Sequence, residues 1–131
     1  MTQMAKYPHE VGLKVGECVE AGDLEGILSL FHPDCVICFP PEEPPRYGHA
    51  AVREIFSELI AAQPQIENRV TGMQECGDTA LLQHEWRFED AKGNLIAEGK
   101  STEVVRRLEN GGWGYFIDCP LGPPHLPRIP E

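Results

Sequence analysis

The sequence is poor in basic residues and contains no long hydrophobic run. Its 11 Lys and Arg residues stand against 21 Asp and Glu residues, which gives a formal net charge of −10. Such an acidic chain makes nucleic acid and anionic membranes poor partners. No apolar stretch approaches the roughly 18 residues of a membrane-spanning helix, and residues 1–10 lack the apolar segment of a signal peptide. We therefore expect a cytoplasmic protein that binds neither nucleic acid nor a membrane.

The cysteines do not predict a disulfide framework or a metal site. There are five of them, at positions 18, 35, 38, 76 and 119, and an odd count suits reduced thiols. Cys35 and Cys38 form a C-x-x-C pair, but it lies in an apolar strand, where residues three apart face opposite sides. A zinc site would also need further ligands at matching spacing. We interpret both as small core or edge residues and predict no metal and no cofactor.

Length and composition are those of one globular domain. The chain has 131 residues, 41% hydrophobic and 24% charged, and a chain of this size buries about two-thirds of its unfolded surface. We predict a single domain over residues 1–131. Five of the twelve prolines lie after residue 119, so we expect an extended tail from about that position.

Residues 78–118 predict three antiparallel strands joined by tight turns. In the first strand, alternation places an apolar face opposite a polar one; the apolar face holds Ala80, Leu82, His84, Trp86 and Phe88. Turns at residues 91–94 and 109–112 contain Gly and Asn, which accept positive φ cheaply. The second strand is predicted over residues 95–108 and the third over 113–118.

The residues before this meander predict three helices and two further strands. Apolar stripes indicate helices over residues 9–21 and 24–31, with Pro33 ending the second, and a third helix after Gly48. Its apolar stripe is the clearest in the chain and consists of Val52, Ile55, Phe56, Leu59 and Ile60. Residues 35–39 predict a short strand and 66–76 another. Helices segregated from strands predict an α+β fold whose curved, mostly antiparallel sheet wraps around the helices and leaves an internal pocket.

Three segments of the chain resemble the cone-shaped nuclear transport factor 2-like superfamily, above all its ketosteroid-isomerase-like, polyketide-cyclase-like (SnoaL-like) branch. The segments are EAGDLEGILSLFHPDCVICFPP, RYGHAAVREIF and GGWGYFIDCPLG. The resemblance covers about residues 9–118 and implies a curved sheet, a pocket lined by sheet and helices, and often a homodimer. It does not fix a reaction, because the superfamily includes isomerases, cyclases, dehydratases, transport factors and assembly modules.

The catalytic residues of the steroid isomerases do not match this sequence. Their oxyanion tyrosine on the first helix corresponds to Val15, and their general-base Asp before the loop corresponds to Phe39. Their second acid falls on Val104, counted from Gly112, with Glu103 as its neighbour. Val, Phe and Val cannot carry out that proton transfer. We therefore predict that the protein does not isomerise ketosteroids.

The candidate catalytic residues are His84 and Asp118. His84 shares the apolar strand face, where an imidazole can titrate near neutral pH. Asp118 ends the last strand, and simple alternation places it with Phe116 and opposite Trp113 and Tyr115. Two alternatives stay open: His84 as a core histidine bonded to a backbone carbonyl, and Asp118 as a cap before Pro120.

Five further residues are predicted to contact a ligand. Trp86 would form an aromatic wall beside His84, Tyr47 lies in the loop near the pocket mouth, and Glu103 and Glu98 lie on opposite faces of the long strand, so at most one points inward. With Phe39 and Phe56, the set is Trp86, Tyr47, Phe39, Phe56 and Glu103. The alternative for this loop is that Gly48 and His49 begin the third helix and Arg46 is exposed to solvent.

These residues predict that the pocket binds a small, largely apolar organic molecule, with acid–base chemistry that needs no cofactor. The alternatives are a non-catalytic ligand-binding module and a dimerising scaffold whose pocket is filled with side chains. Long polar side chains on the outer face of the first meander strand favour a homodimer, since they can pair around a two-fold axis; they are Gln83, Glu85 and Arg87.

Overall fold

The protein has the predicted α+β architecture, in which helices cover one face of a six-stranded sheet. The computed structural model describes residues 4–40 and 42–122. The strands are β1 (Phe31–Ile37), β2 (Arg46–Tyr47), β3 (Gln65–Cys76), β4 (Thr79–Glu89), β5 (Leu95–Arg107) and β6 (Trp113–Cys119). The sheet is curved and unclosed, in the order β2-β1-β6-β5-β4-β3. All neighbours are antiparallel except β1 and β6, which run parallel.

Three α-helices form where the apolar stripes predict them. They are α1 (Val11–Ala21), α2 (Leu24–Leu28) and α3 (Gly48–Ala61), and a 3-10 turn over Pro8–Glu10 precedes α1. Gly22 ends α1 with a left-handed φ of 70°, a conformation that glycine adopts without steric cost. The side chain of Asp23 then accepts a hydrogen bond of 2.9 Å from the Gly26 amide and caps α2.

The predicted boundary between the second helix and the first strand is wrong. The helix ends at Leu28 and Phe31 already belongs to β1, whereas the sequence predicted a helix to residue 31 and a strand over 35–39. Phe31 is held by pairing with Tyr115. Pro33 lies inside β1, where the pairing with β6 is interrupted between Phe31 and Val36, so its missing N–H costs no ladder hydrogen bond.

The core lies between the helices and the concave face of the sheet. Helix α1 buries its predicted stripe completely, and α3 buries Val52 fully and the rest of its stripe in part. The largest fully buried side chains come from all these layers; they are Phe31, Ile27, Leu30, Ile37, Val11, Val52, Val105 and Cys35. A cavity remains between the helices and the sheet.

The predictions on a membrane-spanning helix and on the proline-rich tail can be compared with the described part of the chain. Among residues 4–40 and 42–122, no helix is both long and apolar enough to cross a bilayer. The proline-rich tail was predicted from about residue 119, but Cys119 is the last residue of β6. Residues 123–131, where the rest of the predicted tail falls, lie outside the described residues.

Candidate functional site

A cavity of about 440 Å³ opens between the helices and the sheet. Its volume lies within the range of small-molecule sites. Most of its lining is apolar and comes from α1, α3, β3, β4 and the segment after β1. The principal apolar lining residues are Val15, Val19, Phe39, Ile55, Phe56, Leu59, Ile66 and Phe88. Such walls suit the body of a largely apolar molecule.

Among the described residues, four polar side chains are buried, and all of them line this cavity. They are His84, Ser101, Glu103 and Asp118, on three adjacent strands. Cross-strand pairing brings them together: His84 lies opposite Ser101, and Glu103 lies opposite Asp118. Polar groups at this depth need partners, since an unpaired one costs about 1–3 kcal/mol.

Glu103 is the centre of the polar cluster. Its Oε1 lies 3.4 Å from Nδ1 of His84, and its Oε2 accepts a hydrogen bond of 2.9 Å from the Ser101 hydroxyl. The Tyr115 hydroxyl also hydrogen-bonds to Glu103. A carboxylate accepts several such bonds through its two oxygens, so Glu103 ties β4, β5 and β6 together inside the cavity.

The second carboxyl group, Asp118, is pushed toward its neutral form. Burial raises the pKa of Asp118 well above its ordinary value, and the nearby Glu103 carboxylate raises it further. Burial, followed by the same two carboxyl groups, also raises the pKa of Tyr115 well above its ordinary value. In both Asp118 and Tyr115 these shifts favour the protonated form, which presents an O–H group in this part of the cavity.

His84 has a buried nitrogen without a partner. Its side chain is 4% exposed, and Nε2 makes no hydrogen bond within the described part of the chain. The other side of the ring is fixed, because Nδ1 faces Glu103 and the imidazole packs on Gly12 of α1, where a Cβ atom would overlap it. Nε2 is therefore the ring nitrogen that is left without a partner in this part of the chain.

The structure brings most of the predicted site residues to the cavity. His84, Asp118 and Glu103 line its polar part, and Trp86, Phe39 and Phe56 line its walls. The indole Nε1 of Trp86 donates a hydrogen bond of 2.7 Å to the backbone oxygen of Pro120. The predicted side-chain directions did not fix the separation of His84 and Asp118. In the structure His84 contacts Glu103, which lies at the centre of the polar cluster.

Tyr47 does not belong to this group. It is 69% exposed and is not part of the cavity lining, which instead includes its neighbour Arg46. The guanidinium of Arg46 lies 2.7 Å from Glu54 on α3. Nε2 of His49 lies 2.8 Å from the backbone oxygen of Phe31, so His49 fits the alternative in which it belongs to the start of the third helix.

Asp118 faces the cavity, but simple alternation along β6 is not the reason. Val104 pairs with Ile117 and Val105 pairs with Tyr115, so Phe116 is an extra residue in β6. This bulge lets Tyr115 and Asp118 both face the cavity, whereas strict alternation would separate them. Phe116 lies on the outer face instead, with the Arg106 guanidinium 4.6 Å from its ring centroid.

The position count for the second acid of the steroid isomerases needs a correction as well. Glu103 is 5% exposed and lines the cavity, while Val104 faces outward opposite Ile117. An acidic side chain does therefore face the pocket from this part of β5. Glu98 faces solvent and binds Arg87 at 3.0 Å, in agreement with the prediction that at most one of the two glutamates points inward.

Three residues of the site were missed from the sequence. Ser101 lies two positions before Glu103 on β5 and therefore shares its face. Alternation along the strand could have predicted this. Tyr115 was assigned to the opposite face because the bulge was not foreseen. Gly12 was noted only as a small residue that permits close approach, and its contact with His84 requires the tertiary structure.

The described residues contain no cluster of three or more His, Cys, Asp or Glu side chains that could hold a metal ion. Cys35 is fully buried, and Cys38 is half-buried after the end of β1. This placement agrees with the interpretation of the C-x-x-C pair as core and edge residues.

Comparison with known structures supports the same fold. A ketosteroid isomerase-like protein from Erwinia carotovora is 14% identical, with a TM-score of 0.68 over 86% of this chain and 90% of that one. A proposed dehydratase of the NTF2-like family from Streptomyces avermitilis is 22% identical, with a TM-score of 0.69 over 89% and 92%. A proposed calcium/calmodulin-dependent protein kinase type II association domain from Thiobacillus denitrificans is 17% identical, with a TM-score of 0.72 over 91% and 98%. At these identities the likeness concerns the fold alone.

Sequence comparison identifies the family. Among curated proteins, none matches this sequence. The model of the SnoaL-like domain, however, matches residues 15–113, a segment that contains both helices lining the cavity, α1 from Val15 onward and α3, as well as strands β1 to β5. The chain therefore belongs to the SnoaL-like domain family of the nuclear transport factor 2-like superfamily.

Proposed function

We propose that the protein binds a small, neutral and largely apolar organic molecule in the cavity and moves a proton on it, as an isomerase, cyclase or dehydratase does. The observation that carries this proposal is the unpartnered Nε2 of His84, buried in the polar part of an otherwise apolar cavity. A buried nitrogen without a partner is costly for a structural residue. It is useful to a site whose ligand supplies the missing hydrogen bond.

His84 is the proposed general base. In the neutral ring, the proton sits on Nδ1 because that nitrogen faces the Glu103 carboxylate at 3.4 Å. Nε2 then carries the free lone pair, and Glu103 stabilises the imidazolium that forms when Nε2 takes a proton. Ser101 and Tyr115 hold Glu103 in place through their hydroxyl groups.

Asp118 is the proposed proton donor. Its raised pKa favours the protonated carboxyl group, which can donate a hydrogen bond to a carbonyl or hydroxyl oxygen of the ligand. The reaction class follows from the two roles: Nε2 removes a proton from a carbon next to a carbonyl, and Asp118 supports the negative charge that develops on the oxygen. Return of this proton to another carbon completes an isomerisation. Its transfer to a hydroxyl group, which then leaves as water, completes a dehydration.

The same residues restrict the ligand. The Glu103 carboxylate disfavours a second negative charge in the polar part of the cavity, since two like charges in a poorly solvated site repel strongly. The ligand should therefore be neutral at that end and carry one carbonyl or hydroxyl group. Its apolar body would pack against the walls formed by Phe39, Phe56 and Leu59.

A screen of small neutral ring ketones and phenols tests the binding step. Ligand-observed NMR with the purified chain should detect binders among them and few among the matching carboxylic acids. A Leu59→Trp variant, which fills the cavity from α3, should lose the signal. Binding that survives this variant, or a preference for the acids, would contradict the proposal.

Incubation of the best binders at neutral pH in deuterated water separates enzyme from binding module. Deuterium entering a carbon next to the carbonyl, lost in His84→Gln, supports proton transfer. Unchanged ligands with retained binding support the alternative of a non-catalytic ligand-binding module. A dimerising scaffold without a ligand would show no binder at all.

We further propose a cytoplasmic homodimer formed through the outer face of the sheet. An apolar row crosses this face by direct strand pairing and consists of Val36, Ile117, Val104 and Leu81. Beside it lies an open depression of about 650 Å³ whose lining includes the charged residues Glu85 and Arg87. The likeness in fold to a proposed association domain supports oligomerisation.

A further inference from the structure

We propose that Cys38 and Cys119 are an oxidisable dithiol, which closes to an intrachain disulfide when the protein meets a peroxide. The two residues are distant in sequence and adjacent in the sheet. Ile37 pairs with Asp118 in the parallel β1–β6 ladder, and the amide of Cys38 donates a hydrogen bond of 2.8 Å to the backbone oxygen of Asp118. The next pair in this register is Cys38 with Cys119.

The register brings both thiols to one side of the sheet at a suitable separation. Neighbouring strands lie about 4.8 Å apart, and disulfides join Cα atoms about 4.4–6.8 Å apart. Ile37 and Asp118 face the cavity, so alternation turns the residues after them to the outer face together. The thiols already touch, since the Cys119 thiol hydrogen-bonds to Cys38.

The environments of the two sulfurs differ in a way that assigns their roles. Cys38 is half-buried, whereas Cys119 is 7% exposed. Burial, and then the hydrogen bond to Cys38, raises the pKa of Cys119 to about 12. Cys38 is therefore the sulfur that a dissolved oxidant reaches, and Cys119 is the resolving thiol that stays protonated until Cys38 has reacted.

The chemistry balances with hydrogen peroxide as the oxidant. The Cys38 sulfur attacks one peroxide oxygen, the O–O bond breaks, and Cys38 becomes a sulfenic acid while one water leaves. The Cys119 sulfur then displaces the sulfenic oxygen, which leaves with the Cys119 proton as a second water. The S–S bond that forms accounts for the two electrons taken up by the peroxide.

The crosslink would act on the cavity, because each cysteine lies between two of its lining residues. Ile37 and Phe39 flank Cys38, and Asp118 and Pro120 flank Cys119. The backbone oxygen of Pro120 also accepts the hydrogen bond from Trp86. A covalent bond between the two segments fixes this side of the cavity. The dithiol itself does not depend on the reaction proposed above.

The test uses the full chain with Cys76→Ser, which removes the exposed thiol and with it intermolecular coupling. After mild peroxide treatment, we expect the loss of two thiols and of two hydrogen atoms per chain, with Cys38 and Cys119 linked in a non-reducing peptide map. Melting temperature should rise and Trp fluorescence should change, both reversibly with dithiothreitol. The control variant Cys35→Ala removes the other cysteine of the C-x-x-C pair and should behave in the same way as the Cys76→Ser protein.

The Cys38→Ala variant should instead keep all its remaining thiols reduced or gain oxygen without a crosslink. A linked peptide that contains Cys35 or Cys18, or a loss of two thiols that persists in Cys38→Ala, would overturn the assignment. So would mass gain by oxygen alone in the Cys76→Ser protein. A correctly placed disulfide with no change in Trp fluorescence would overturn the coupling to the cavity.

Discussion

His84 and Glu103 contact each other at 3.4 Å in the interior of the protein, with 4% and 7% of their side-chain surfaces exposed. The two residues lie on adjacent strands, but they are not directly opposite each other, because His84 pairs with Ser101. The contact is therefore diagonal, and Ser101 bridges it by donating to the Glu103 carboxylate. The polar part of the cavity is organised around this pair.

A double-mutant cycle should show that this contact is energetically coupled. We expect His84→Gln and Glu103→Gln to be coupled by about 0.5–3 kcal/mol in the free energy of unfolding, since each single change leaves a buried group without its partner. Urea denaturation of the four proteins measures the coupling. The control is Arg87 with Glu98, whose side chains are 41% and 50% exposed and whose coupling should be about 0–1 kcal/mol. Equal coupling in both cycles would contradict the expectation.

Asp118→Asn should stabilise the protein increasingly as the pH rises. In the folded protein, burial and then the nearby Glu103 raise the pKa of Asp118. Above about pH 4 the unfolded chain ionises this group and the folded protein does not. From about pH 4 up to the pKa of Asp118 in the folded protein, the free energy of unfolding therefore falls by as much as about 1.4 kcal/mol per pH unit. Denaturation at several pH values should show a gap between variant and wild type that is small near pH 4 and larger at pH 7.

The exposed Asp90 provides a control of opposite sign. The backbone amide of Asn94 donates to it and lowers its pKa, so its contribution to stability is present at neutral pH and lost as the pH falls through its folded pKa. Asp90→Ala should therefore destabilise at neutral pH and converge with wild type in acid. If the effect of Asp118→Asn is the same at every pH, the assignment of a neutral buried carboxyl group is wrong.

Gly12→Ala should destabilise the protein although alanine is the better helix former. A Cβ atom at this position would overlap Cε1 of His84 and lie 2.8 Å from both Nδ1 of His84 and the Tyr115 hydroxyl. Overpacking of this kind costs about 1–3 kcal/mol, more than the gain of about 1 kcal/mol in helix propensity. Thermal unfolding measures the balance. The control is Gly72→Ala, whose nearest contact is the flexible Gln83 side chain at 3.1 Å, and a larger loss there would contradict the argument.

The proposed homodimer should dissociate when the outer apolar row receives a charge. Light scattering of the wild type at micromolar concentration should give twice the 14.6 kDa chain mass. Leu81→Lys should shift the protein toward the monomer, because Leu81 is 48% exposed and pairs with Val104 in the centre of the row. Leu95→Lys, a change of equal character at a residue 50% exposed outside the row, should leave the mass unchanged. A wild type that is monomeric throughout counts against the proposal.

The protein should not isomerise a Δ5-3-ketosteroid above the buffer rate. Val15 and Phe39 line the cavity at the positions where the resemblance requires a phenol and a general-base carboxylate. Val104 no longer counts as a third mismatch with the steroid isomerases, because Glu103 rather than Val104 faces the cavity. A spectrophotometric assay decides the matter, and turnover well above the background would show that the remaining acidic groups substitute for the missing ones.

Alternation along β4 predicted the inward face of His84 and Trp86 because this strand pairs without interruption over that stretch. Patterns of this kind depend only on local geometry, and they also located the apolar stripes of α1 and α3. The contact of His84 with Glu103 could not be predicted in the same way. It depends on the register between two long strands, which turns and tertiary packing set together.

The bulge at Phe116 shows where local reasoning fails. An extra residue in β6 leaves no signature in the alternation itself, because Tyr115, Phe116 and Ile117 are all apolar and fit either face. Its position became visible only through the pairing with Val104 and Val105. The same limit applies to Phe31, which a helical stripe and a strand accommodate equally well, and which pairing with Tyr115 assigns to β1.

The place of β6 in the sheet determines when the cavity can exist during synthesis. This strand is the last of the six in sequence, yet it lies between β1 and β5, with α3 and four strands separating it in sequence from its parallel partner. Until residues 113–119 have emerged from the ribosome, β1 lacks a principal neighbour and the polar cluster lacks Asp118 and Tyr115. Contacts so distant in sequence form late and slowly. The nascent chain therefore carries an open, apolar sheet edge through most of its synthesis, and it closes the binding site only when the central strand is inserted.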